Sequence, residues 1–203
     1  MNVYISKANK NYFLEKLKEI SIIDDYILDR ERLGKEKIKL VTEANSNDTI
    51  KELISILPVE SMIVDQTEYP GKEYLLCIGE VAFENFNFLY EMNVHFSIVT
   101  IKENVIRFNA WVHFSNLLEL HESKKVDNFS SINGKIEDTT FFIFEGTEDH
   151  VNIIYDEISK YSSEFIIKEN KIYVKLLLQD FCKVYENTKE TYNRIDIIDE
   201  ESL

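Results

Sequence analysis

The sequence predicts an α+β protein in which antiparallel strands fill the middle of the chain and short amphipathic helices flank them. Three observations lead there. From residue 86 the even positions read Phe86, Phe88, Tyr90, Met92, Val94, Phe96 and Ile98, while Asn87, Leu89, Glu91, Asn93, His95 and Ser97 stand between them. A period of two sustained this long reads as a half-buried strand, and one of this length calls for a bend, a strong twist or a bulge. The alternation returns after a turn at 102–104, with Ile106, Phe108, Ala110, Val112 and Phe114 on one face and Arg107, Asn109, Trp111 and His113 on the other. Matching the two apolar faces asks for an even-sum register and a three-residue loop. Third, the segments on either side each carry strand and helix signals in the order β-α-β-β-α. The expected layout is therefore a central antiparallel meander flanked by two such units, with a ferredoxin-like order in the first.

The elements follow in order. Residues 2–6 form a short strand. Residues 11–20 place Phe13, Leu14, Leu17 and Ile20 at helical spacing, the mark of an amphipathic helix. Strands at 26–28 and 37–41 enclose a polar loop with Gly34. Asn47 or Asp48 caps a helix whose face is Ile50, Leu53, Ile54 and Leu57, and Pro58 ends it. A strand at 61–65 closes the first unit. Tyr69-Pro70-Gly71-Lys72 is the clearest turn. It sets an N-terminal unit at 1–69 and a C-terminal unit at 70–203 that holds the central hairpin, unless the two form one continuous domain. Strand 74–78 precedes the central hairpin, and Ser115-Asn116 caps a helix through Leu117, Leu118, Leu120 and His121. Polar residues 124–134 read as a loop. The last third reads as strand 140–144, helix 149–161, hairpin 165–178, helix 180–194 with Phe181, Val184, Tyr185 and Tyr192 on its face, and a closing strand at 195–198. Two short matches recur: Lys18-Glu19-Ile20-Ser21 with Asp156-Glu157-Ile158-Ser159, and Ile101-Lys102-Glu103-Asn104 with Ile167-Lys168-Glu169-Asn170. Reuse of one supersecondary unit with the same turn chemistry accounts for both.

Composition narrows the function. The chain of 203 residues is 44% hydrophobic, enough for a sizeable core. Its net charge of −14 repels nucleic acid and anionic membranes and favours a basic protein partner. Five glycines and two prolines leave no Gly-rich nucleotide loop. The N-terminus lacks the apolar stretch of a signal peptide, and no apolar run approaches membrane-spanning length, so a cytoplasmic protein is expected. Cys77 and Cys182 lie in apolar surroundings and read as buried thiols rather than nucleophiles.

The candidate binding residues are those of the hairpin's polar face: Asn93, His95, Arg107, Asn109, Trp111 and His113. Trp and Arg dominate the energetics of interfaces, although a tryptophan is also an ordinary core residue. His95 and His113 would be cross-strand or diagonal neighbours, the spacing from which a metal site is built, but no second close ligand pair supports one. No metal, cofactor or catalytic residue is expected. The leading expectation is a binding protein that neutralises or sequesters a basic partner protein, as a bacterial immunity protein or a phage-type inhibitor does. The alternatives are a small enzyme or ligand-binding domain using the polar face of the 93–113 hairpin, and a homodimeric chaperone-like or scaffold domain.

Overall fold

The computed structural model describes every residue except Leu33, Thr67 and Leu203. The fold is α+β, with two antiparallel sheets of eight and four strands. In chain order the elements are β1 (Asn2–Ser6), α1 (Lys10–Leu17), β2 (Asp25–Arg32), β3 (Lys35–Val41), α2 (Ser46–Ile54) and β4 (Met62–Val64); then β5 (Tyr74–Ala82), α3 (Phe86–Glu91), β6 (His95–Lys102), β7 (Val105–His113), α4 (Leu117–Glu122) and β8 (Val126–Ser131); and last β9 (Thr139–Gly146), α5 (Val151–Ile158), β10 (Phe165–Lys168), β11 (Lys171–Leu177), α6 (Leu178–Thr188) and β12 (Tyr192–Ile198).

This order is one β-α-β-β-α-β module three times over, at 2–64, 74–131 and 139–198. The hydrogen-bonded strand order is β2-β3-β1-β4 in the first, β6-β7-β5-β8 in the second and β10-β11-β9-β12 in the third. Each module thus has the split β-α-β arrangement of a ferredoxin-like unit. The larger sheet is the first two orders end to end, joined by antiparallel pairing of β4 with β6. Of the two short sequence matches, the first lies just past the end of α1 in module one and over the last residues of α5 in module three, and the second falls at the equivalent hairpin of modules two and three.

By packing, the chain divides into two compact units, one of residues 1–68 and 79–111, the other of 69–78 and 112–203. In the first, Val3, Ile5, Phe13, Ile38, Ile50, Leu53, Val99 and Ile101 are buried, and α2 packs on β6. The Asn45 side chain caps α2 by accepting the Asp48 N–H at 3.1 Å. That is two or three residues before Asn47 or Asp48; Asn47 instead donates to the Val94 carbonyl at 2.6 Å. In the second unit, Phe142, Phe144, Ile172, Val174, Ile195 and Ile197 form the buried sheet face, covered by α5 and α6. Phe181 of α6 stacks on Phe142 with ring centroids 4.1 Å apart. The Glu157 carboxylate, almost buried, ties α5 to α6 by accepting from Asn187 at 2.8 Å and also pairs with Lys160. Burial alone would raise its pKa; these two donors outweigh it and hold the carboxyl below its ordinary value.

Four local expectations are corrected. Residues 86–91 are helix, not strand: Phe86, Leu89 and Met92 are the buried positions, at a spacing of three. A segment this short satisfies both periods, and the crossover between β5 and β6 decides for helix. The hairpin loop has two residues, Glu103-Asn104, because Lys102 pairs with Val105. Its register sum is odd near the turn, and an irregularity between Phe96 and Ile98 restores the even sum at Phe96↔Ala110 and His95↔Trp111. This bulge moves the buried face from Phe96 to Val99 and Ile101 and leaves Ile98 half-buried. Within 124–134, Val126–Ser131 is a strand; its polar residues fit an edge position. Tyr192 lies in β12, not on the last helix, which ends at Thr188.

Candidate functional site

The hairpin face can be placed residue by residue. Asn93 is exposed, with φ of 50°, in the turn between α3 and β6. His95 and Trp111 stand opposite each other in the ladder, both half-buried. Arg107 is exposed and its Nε meets Glu80 at 2.5 Å; Asn109, half-buried, opposes Ile98, and its carbonyl accepts from the Ser97 hydroxyl. These five residues belong to the first unit. His113 ends β7 and belongs to the second. The ladder sets His95 against Trp111 rather than against His113. Among the described residues, no group of three or more His, Cys, Asp and Glu could hold a metal ion.

Around His113 the second unit assembles a polar and aromatic cluster that the sequence did not show. Nδ1 accepts the Ser115 backbone N–H at 3.3 Å, which makes the His113 side chain the cap of the single 3-10 turn Phe114–Asn116, and lies 2.8 Å from the Ser115 hydroxyl. A backbone N–H can only donate, so Nδ1 carries the lone pair and the proton of the neutral ring sits on Nε2. Nε2 lies 3.3 Å from the Tyr185 phenol oxygen and 3.5 Å from a Glu73 carboxylate oxygen. The ring stands edge-on to Tyr74 and Tyr185 at 5.1 and 5.9 Å.

Tyr185 and Tyr192 lie beside Phe114. Burial, with the Glu73 charge in support, pushes the Tyr185 phenol up to about 12, and burial pushes Tyr192 up further. Both phenols therefore stay protonated, which leaves them poor nucleophiles. Lys72 donates to the Tyr192 carbonyl at 3.0 Å and sits 4.8 Å from its ring centroid. The Tyr192 hydroxyl is buried and, among the described residues, no partner meets it at full hydrogen-bond geometry, although Tyr185 lies close enough to interact with it. An unpaired buried hydroxyl costs about 1–3 kcal/mol. Tyr192→Phe is accordingly expected to leave the protein about 1 kcal/mol more stable in urea unfolding; a loss of that size would reveal a partner for the hydroxyl.

Ser115, His113 and Glu73 are residue types that serve nucleophilic catalysis. Here the serine is two residues from the histidine, and its backbone N–H already occupies the Nδ1 lone pair. The imidazole thus works as a cap and a spacer between tyrosines. The thiols are held protonated: burial pushes Cys77 well up, and burial with Glu186 and Glu122 raises Cys182. Two open depressions lie in the second unit. One of about 390 Å³ is lined by Lys135, Glu137, Phe141, Lys175 and Asp199. The other, of about 280 Å³, holds the His121–Asp138 pair at 2.8 Å, which keeps the Asp138 carboxyl below its usual value.

Excess negative charge is unevenly spread. Residues 1–64 hold nearly as many Lys and Arg as Asp and Glu, so almost all of the −14 falls on 65–203. In the third module Glu148, Asp149, Asp156, Glu164 and Glu169 are exposed. Among the described residues no helix is long and apolar enough to cross a membrane. No protein-family model, curated protein or solved structure matches the chain.

Proposed function

We propose that this chain is a cytoplasmic binding protein that neutralises or sequesters a basic partner protein, in the manner of a bacterial immunity protein or a phage-type inhibitor. The observation that carries the reading is the concentration of acidic residues after residue 64, with exposed carboxylates along the third module. A field of one sign over part of a surface speeds encounter with a partner of the opposite sign.

The experiment is capture of the partner from a native lysate, followed by association kinetics on the purified pair. Between about 10 and 150 mM salt the Debye length falls from roughly 30 to about 8 Å. The association rate is expected to fall at least about tenfold over that range while dissociation changes little. Reversing Glu148, Asp149 and Asp156 together should lower the association rate at low salt. An acidic partner, or an association rate indifferent to salt, would overturn this reading and leave the charge a matter of solubility.

A further inference from the structure

The outer edge of β10 pairs with no strand among the described residues. β2, β6 and β10 are equivalent, the second strand of each module. In the second module that edge is taken. Ile63 pairs with Val99, the Ile101 N–H donates to the Ser61 carbonyl at 3.0 Å, and the Ile101 carbonyl accepts from Glu60 at 2.9 Å. Ile101 is 1% exposed. Ile167 is the same position in the third module. Both hairpins close a two-residue Glu-Asn loop with positive φ on the glutamate, 45° at Glu103 and 55° at Glu169. In such a hairpin the residue before the closing pair is not hydrogen-bonded to its partner strand, so the backbone N–H and C=O of Ile167, and of Phe165 two residues earlier, point outward. β10 is the last strand of its sheet, and Ile166 and Ile167 are 48% and 45% exposed. β2 is also an edge, but an irregular register between Asp29 and Arg32 blunts it; the β10–β11 ladder runs without a break.

We propose that β10 pairs antiparallel with β10 of a second copy of this chain, about a two-fold axis that sets Ile166 against Ile166. The outward groups of Phe165 and Ile167 must bond to outward groups, and this register matches Phe165 of one copy with Ile167 of the other. It also sets Glu164 opposite Lys168 in the closer, non-hydrogen-bonded pairs, twice by symmetry. Two-fold registers centred on Phe165 or Ile167 oppose no unlike charges. Lysine on a short edge strand ordinarily discourages pairing. Here the lysine ends the strand, two isoleucines hold its middle, and the symmetry brings it a carboxylate. The product would extend the four-stranded sheet to eight, the number already reached where β4 meets β6.

The contact is small, so the dimer is a weak one, with a dissociation constant in about the micromolar to submillimolar range. Sedimentation equilibrium of the full chain at about 150 mM salt, where repulsion between the acidic copies is screened beyond about 8 Å, should show a monomer–dimer equilibrium. Ile167→Pro removes an outward N–H that takes no part in the β10–β11 ladder, and should abolish the dimer while circular dichroism is unchanged. Glu164→Lys alone and Lys168→Glu alone should each weaken it at least about tenfold, and the double exchange should restore it. These two side chains are exposed, so the charge series reads out even where Ile167→Pro fails to fold. A chain that stays monomeric up to about 1 mM, assembly that grows past the dimer as a head-to-tail joint would, or a double exchange that fails to restore association would overturn the proposal.

Discussion

Phe181→Ala is expected to destabilise the second unit by about 3–5 kcal/mol, the usual range for truncating a fully buried aromatic side chain. The ring is inaccessible to solvent, lies flat on Phe142 at 4.1 Å and touches Phe114, Phe144 and Tyr185 within 6.3 Å. Its removal leaves a cavity walled by rings on α6, on β9 and at the end of β7, elements too well anchored to collapse into it. Part of the loss is specific to the stacked geometry, which adds about 0.5–1.5 kcal/mol to area burial. Urea titration checks this; a loss under about 1 kcal/mol, the range of ordinary surface changes, would mean that the aromatic cluster is not the core of this unit.

The second large effect separates two isoleucines three residues apart. Ile101→Ala is expected to cost about 2–5 kcal/mol and Ile98→Ala distinctly less. Ile101 is 1% exposed and bonded through its backbone to Ser61 and Glu60, whereas the irregularity between Phe96 and Ile98 leaves Ile98 half-buried. Strict alternation from Phe96 makes the opposite demand, with Ile98 in the core and Ile101 on the polar face. The ranking of the two losses in the same titration therefore tests the bulge itself, and equal or inverted losses would remove it.

That contrast shows where the sequence was legible. The α+β class, the return strand with its face Ile106, Phe108, Ala110 and Val112, and the helices around Phe13, Leu53, Ile154 and Phe181 all followed from periodicity. Phe86–Glu91 was misread because Phe86, Phe88 and Tyr90 alternate as a strand while Phe86 and Leu89 also make a helical face. Val126–Ser131 was missed because an edge strand with one wet side offers only Val126 and Phe129 as apolar residues. With those two segments unread, the middle module could not be recognised as a copy of its neighbours. The hairpin face illustrates a different limit. Alternation puts His95, Trp111 and His113 on one side of a ribbon, but a bulge and a strand end decide what each meets. His113 meets Glu73, Tyr74 and Tyr185, residues as much as 72 positions away, for which no local pattern exists.

The tandem modules also set an order of events for a chain leaving the ribosome. Every strand pairing of the third module closes within residues 139–198, and the first sheet order is complete once residue 64 has emerged. Partners this near in sequence incur little loop-closure entropy, so each sheet is free to form as its last strand appears. The β4–β6 joint is different. β4 has only three residues, and its second neighbour is not synthesised until His95–Lys102 follows. During that interval the exposed edge of β4 is a template that any extended segment can occupy, including the matching strand of another nascent chain. Crowded synthesis on one message is thus the condition under which this chain would exchange strands with its neighbours, and slow elongation between residues 64 and 102 would lengthen that exposure.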